Sequence, residues 1–140
     1  MQVLYSIQAT ALGGRAGWAA SVDGALKVKL AKTPALSGRS GGDASPEHLF
    51  AAAYAASFLE ALRVAASKTG AVITDDANVT VTVGVGRPEG EDGLALDVSL
   101  SLDLPDLDRE TAQALTARAH ALCPYSRALR ERSEPRTTIA

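Results

Sequence analysis

The stretch FAAAYAASFLEAL, Phe50 to Leu62, constrains the fold more than any other part of this chain. Its spacing suits a helix, yet it is apolar nearly all round, whereas a surface helix carries one polar face. Such a helix has to be covered on most sides. Its start is well marked: Ser45 suits the N-cap, Pro46 the first helical position, and Glu47 complements the positive end of the helix dipole. The pattern runs to about Lys68 and stops at Thr69-Gly70. One chain of 140 residues offers too few other elements to enclose it. A second copy is the simplest cover, so the expectation is an intimate homodimer.

Around this helix the chain reads as strands and shorter helices. Residues 2–10 alternate loosely, with Val3, Tyr5, Ile7 and Ala9 on one side, and predict a strand. GGRAG, Gly13 to Gly17, is a turn. WAASV and ALKVKL predict two strands joined by Asp23-Gly24, with Leu26, Val28 and Leu30 facing in and Lys27 and Lys29 facing water. Residues 33–44 are loop by composition. Val79, Val81, Val83 and Val85 alternate with polar or small residues, as do Leu94, Leu96, Val98, Leu100 and Leu102, with GRPEGEDG as the hairpin loop between them. Asp108 caps a further helix with Leu115, Ala119 and Leu122 on its apolar side. Cys123-Pro124 breaks it, PYSRALR restarts a short helix, and RTTIA predicts a final short strand. The order β-β-β-α-β-β-α-α is an α+β pattern in a single domain, residues 1–140.

The totals narrow the function. The net charge of −2, with no strongly basic patch, argues against nucleic acid as a partner. No apolar run is expected to approach the ~20 residues that span a bilayer, and MQVLYSIQAT lacks the charged and apolar regions of a signal peptide. A cytoplasmic protein without membrane contact is expected. The single cysteine, Cys123, rules out a disulfide within the chain and fits a reducing compartment.

Familiar catalytic motifs are missing or incomplete. His120 and Cys123 form an H-x-x-C pair, with His48 elsewhere, which falls short of a zinc site. GVGRPEG lacks the spacing of a dinucleotide loop, and Ser57 lacks the G-x-S-x-G elbow of a hydrolase. No bound metal or cofactor is expected. Taken singly, four residues also have plain structural readings. Cys123 would be a small buried hydrophobe, Arg15 a solvated turn residue, Glu47 a first-turn acid, and Ser57 a helix serine bonded to the carbonyl of Ala53.

Their combination changes that. GGRAG, SPEHLFAAAYAASF, LPDLDRETAQAL and HALCPYSRALR occur in one order and at one spacing. In them the chain resembles the organic hydroperoxide resistance (Ohr) proteins of the OsmC-like superfamily, over nearly its full length. The resemblance implies an OsmC/Ohr-like α+β fold, in which two sheets wrap long central helices in an intertwined homodimer. It also implies a thiol peroxidase acting on organic and fatty-acid hydroperoxides. In that family a cysteine in the first central helix attacks the peroxide, and a second cysteine, in the C-P-Y-S motif, closes a disulfide with the resulting sulfenic acid. An external dithiol, typically a lipoyl group on a protein, restores the pair. By motif position Arg15 matches the arginine that steadies the thiolate, Glu47 its carboxylate partner, and Cys123 the resolving cysteine. Ser57 falls where the reactive cysteine belongs.

That departure decides the expected activity. A thiol is drawn down to thiolate near neutral pH by an adjacent cation, while a serine hydroxyl is not, and serine has no sulfenic acid to cycle through. The chain as written is therefore expected to be inactive. Ser57 is either an introduced change or a natural variant, and the retained Arg15, Glu47 and Cys123 favour the first. The alternative function is a catalytically silent relative that binds a lipid or oxidised lipid. A smaller departure is His48, where the family often carries glutamine.

Overall fold

The computed structural model describes residues 1–32, 36, 43–131 and 137–138. The chain divides into two compact units, Met1–Phe50 and Ala51–Ala140, with the division inside one continuous helix.

The first unit is a three-stranded antiparallel sheet in the order β1-β2-β3, with β1 Ala9–Leu12, β2 Trp18–Ser21 and β3 Lys27–Lys29. Asp23-Gly24 turns the chain between β2 and β3 as expected. Gly24 takes φ +77°, a left-handed conformation that favours glycine, and the Asp23 carboxylate accepts from the Ser21 hydroxyl and the Ala25 amide. Trp18 pairs with Lys29 and Ala20 with Lys27, which sets the Lys27 ammonium 5.9 Å from the Trp18 ring centroid. Lys27 and Lys29 are exposed, Val28 is half-buried and Leu30 is buried, as the alternation requires, but Leu26 at the turn is exposed.

The strand predicted over 2–10 is much shorter. Only Ala9–Leu12 pairs, and Val3, Leu4, Tyr5 and Ile7 all lie exposed. The cause is the register: Ala9 opposes Ser21, the last residue of β2, and after one further bond, from the Val22 amide to the Gln8 carbonyl, residues 1–7 join no strand among the described residues. The predicted loop over 33–44 lies largely outside the described residues. At its end Ala44 bridges Leu30, and its carbonyl accepts from the Ala31 amide.

Helix α1 runs Pro46–Ser67, about 33 Å at 1.5 Å per residue, and Gly70 with φ +76° follows a last turn closed by bonds from the Lys68 and Thr69 amides to the Ala65 and Ala66 carbonyls. Tyr54, Phe58, Ala61, Leu62, Ala65 and Ala66 are buried. Within this single chain the opposite face, along His48, Ala52, Ala56, Glu60, Arg63, Val64 and Ser67, is exposed. Contrary to the expectation that no apolar run reaches spanning length, α1 is by length and composition apolar enough to cross a membrane, with Glu60 and Arg63 its only charges after the first turn.

In the second unit β4 Asn78–Gly86 and β5 Ala95–Asp103 form a two-stranded antiparallel sheet, paired from Asn78↔Asp103 to Gly86↔Ala95. The valines of β4 are half-buried and its threonines exposed, as the period of two predicts. Helix α2 spans Arg109–Leu122 and α3 Pro124–Glu131. Asp108 caps α2 as expected, its carboxylate accepting from the amide and hydroxyl of Thr111 at 2.9 and 2.6 Å. Leu115 and Ala119 are buried, but Leu122, on the last residue of α2, is exposed, and the adjacent Cys123 takes the interior position instead. The final strand expected in RTTIA falls on residues mostly outside the described ones.

Candidate functional site

Arg15 is placed by glycines. It sits in a 3-10 turn, Gly14–Ala16, entered through Gly13 at φ +74°. Gly17 closes the turn so tightly that a Cβ there would overlap the carbonyl of Leu12. The Gly17 amide donates to the Gly14 carbonyl at 3.2 Å, and the Gly17 carbonyl accepts from the Leu30 amide at 2.8 Å, which anchors the turn to the end of the sheet.

Glu47 waits in the first turn of α1. Its Oε1 lies 2.7 Å from Nη1 of Arg15, and its side chain is only 12% exposed against 35% for Arg15. Burial works to raise the Glu47 pKa. The contact with Arg15, backbone and Ser45 hydrogen bonds and the guanidinium charge outweigh that, and hold the carboxyl below its ordinary value. Arg15 Nη1 and Glu47 Oε2 are buried without an aligned hydrogen-bond partner among the described residues, so the contact is an ion pair by distance rather than a well-directed hydrogen bond. Beside it His48 caps its own helix, Nδ1 lying 3.1 Å from the Ser45 amide and 2.8 Å from the Ser45 hydroxyl.

The second pair belongs to the unit Ala51–Ala140. Cys123 is the extended residue between α2 and α3 and is fully buried. Its Sγ lies 3.7 Å from Oγ of Ser57, 66 residues earlier in the chain. The hydroxyl of Ser57 thus meets sulfur rather than the carbonyl of Ala53. The four sequence-predicted residues thus form two pairs, Arg15 with Glu47 in one unit and Ser57 with Cys123 in the other.

Sequence reasoning missed what surrounds the second pair. The hydroxyl of Ser126 is hydrogen-bonded to the Tyr54 phenol at 2.7 Å and to Nδ1 of His120 at 3.0 Å. The His120 ring lies 4.6 Å from Phe58, and Tyr54 stacks on Tyr125 with centroids 5.7 Å apart. Burial, and secondarily the charge of Arg130, hold His120 below the usual histidine pKa. A groove of about 550 Å³, lined by Leu102, Leu104, Arg109, Ala112, Thr116 and His120 among others, opens along α2, and its lining includes none of the four predicted residues. Among the described residues no group of three or more His, Cys, Asp or Glu is arranged to hold a metal ion.

This arrangement has counterparts. The family described as OsmC-like protein matches residues 39–138. The organic hydroperoxide resistance protein of Xanthomonas axonopodis pv. citri is 38% identical over 139 residues, covering 99% of this chain and 96% of that protein. The chain belongs to the organic hydroperoxide resistance proteins of the OsmC-like family. The crystal structure of the family member OhrB from Bacillus subtilis superposes with a TM-score of 0.83 at 38% identity, covering 91% of this chain and 93% of that one. An organic hydroperoxide resistance protein from Elizabethkingia anophelis, with thiocyanate bound, gives a TM-score of 0.85 at 40% identity, covering 93% and 91%. The mixed α+β OsmC/Ohr fold, with two small sheets and three α-helices among the described residues, is therefore that of this chain.

Proposed function

We propose that this fold is built for thiol-dependent reduction of organic and fatty-acid hydroperoxides, with position 57 as the attacking position, and that the chain carrying Ser57 does not turn over. The observation that carries the reading is the 3.7 Å contact between Ser57 and Cys123. Two side chains that far apart in sequence and in contact in space are what a pair of cooperating sulfurs requires. A thiolate at position 57 would take the distal oxygen of a hydroperoxide, releasing the alcohol and becoming a sulfenic acid. Cys123 would attack that sulfur, releasing water and closing a disulfide. A dithiol, in this reading a lipoyl group on a partner protein, would exchange through a mixed disulfide and return both thiols.

Arg15, held by Glu47, is assigned the role of steadying the thiolate, an electrostatic task for which a paired and partly buried guanidinium is suited. With oxygen at position 57 no sulfenic acid forms and the sequence never starts. The protein is read as a cytoplasmic homodimer. Support for the dimer comes from the exposed Ala52, Ala56 and Val64 on α1 and from the exposed Val3, Leu4, Tyr5 and Ile7, an apolar excess for a lone 140-residue chain.

The test is restoration. Ser57→Cys should consume an alkyl hydroperoxide such as linoleic acid hydroperoxide in the presence of dihydrolipoamide, while the chain as written consumes none. No turnover by the folded Ser57→Cys protein would overturn the assignment.

A further inference from the structure

Three helices meet at one hydroxyl. Ser126, in the first turn of α3, is hydrogen-bonded to Tyr54 on α1 and to His120 on α2. Tyr54 and Ser126 are 3% and 7% exposed, so the bond between them forms away from water, while the bond to His120 is part-buried. Tyr54 lies one turn before Ser57 on α1. His120 and Ser126 flank Cys123 three residues on either side. Phe58, the residue after Ser57, packs its ring against His120. The contact between Ser57 and Cys123 is thus bracketed on both strands of chain by directional bonds that converge on Ser126.

Apolar packing holds segments at a distance but is indifferent to small rotations, whereas hydrogen bonds fix direction. The Cys123 corner has no regular backbone of its own: Cys123 is extended, with its amide bonded back to Ala119 and its carbonyl accepting from Arg127. The Tyr54–Ser126 bond ties that corner to α1, and the His120–Ser126 bond braces it between α2 and α3. We propose that the Tyr54–Ser126–His120 chain is a positioning device for Cys123, fixing the distance and direction from its sulfur to the side chain at position 57 and hence how readily those two positions join. The proposal rests on the reading of position 57 as the site of Cys123's thiol partner. Tyr54, Ser126 and His120 are positioning residues in it and take no part in bond making.

The experiment uses the full-length Ser57→Cys protein equilibrated with mixtures of reduced and oxidised glutathione. Two protein thiols plus one oxidised glutathione give the protein disulfide plus two reduced glutathiones, and the equilibrium yields the effective concentration of the two sulfurs. Tyr54→Phe and His120→Phe each remove one bond to Ser126 while keeping a ring in place. Tyr54→Phe should lower the effective concentration about tenfold, the worth of one buried hydrogen bond, and His120→Phe, at a part-buried bond, by a smaller factor. The double variant should lose less than the product of the two, because both act through Ser126. Values within twofold of the parent for folded Tyr54→Phe would overturn the proposal, and that variant, which deletes a single oxygen, decides alone if His120→Phe does not fold. No peroxide enters the measurement, so failure of hydroperoxide turnover in Ser57→Cys would sink the functional reading and leave this result standing.

Discussion

Arg15 and Glu47 approach to 2.7 Å across 32 residues of chain, yet each keeps a buried polar atom without an aligned partner among the described residues. The pair is held by the geometry of a turn and a helix start rather than by ideal bonding. Removing one member should therefore strand the other. Glu47→Gln should cost about 1–2 kcal/mol at neutral pH, the lower part of the range for a lost charged partner because Arg15 is a third exposed. Because the folded Glu47 pKa lies below its unfolded value, its stabilisation is complete above about 4.5 and is lost as pH falls through the folded value. Urea unfolding of the parent and Glu47→Gln across pH 3–7 should show two curves that converge at the acid end.

The turn that carries Arg15 gives a sharper contrast. Gly17→Ala would drive a Cβ into the Leu12 carbonyl, so the backbone has to shift, and a loss of about 2–3 kcal/mol is expected. Gly14, at φ +60°, has open space around it, and Gly14→Ala should cost only the left-handed penalty of about 1–2 kcal/mol. Thermal unfolding of the two variants orders them, and equal losses would contradict the overlap at Gly17.

Ser57→Cys should form a disulfide with Cys123 on mild oxidation, and both thiols should disappear from titration with Ellman's reagent. Closing a loop of 66 residues is worth about 4 kcal/mol in the chain-entropy account, less any strain. The oxidised protein should melt above its own reduced form. Thiols that persist after oxidation would place the two side chains out of reach.

His120 should make the second unit acid-sensitive. Burial holds its folded pKa below the unfolded value, so the unfolded chain binds the extra proton. The associated stability is complete above about pH 6.5 and is lost as pH falls through the folded value. His120→Phe should flatten this part of the pH profile. Phe58→Ala, which empties a fully buried site against the same ring, should instead cost about 3–5 kcal/mol at every pH.

The sequence disclosed the elements better than their extents. The Ser45-Pro46-Glu47 start, the Asp23-Gly24 turn and the Asp108 cap are local signals that act within a few residues, and each sits where it was read. The strand over residues 2–10 was overextended because alternation reports what a segment can pair with, not whether a partner strand is present. Leu122 was misplaced because helical periodicity ends where the backbone turns at Cys123. Of the site, Arg15, Glu47, Ser57 and Cys123 were legible through family motifs alone, since each has an adequate plain reading by itself. The bond between Tyr54 and Ser126 spans 72 residues, and no periodicity carries information at that range. Tyrosine and serine in the two quoted motifs were the available hint.

The single tryptophan stands on β2, its ring under Lys27, in the unit Met1–Phe50, while the single sulfhydryl lies in the unit Ala51–Ala140. One indole fluorophore and one chemical tag thus lie in separate units of a continuous polypeptide. Emission from the indole and capture of the thiol by a dye would follow melting in each part independently, so that coincident or staggered transitions reveal whether the shared helix makes the two units cooperate.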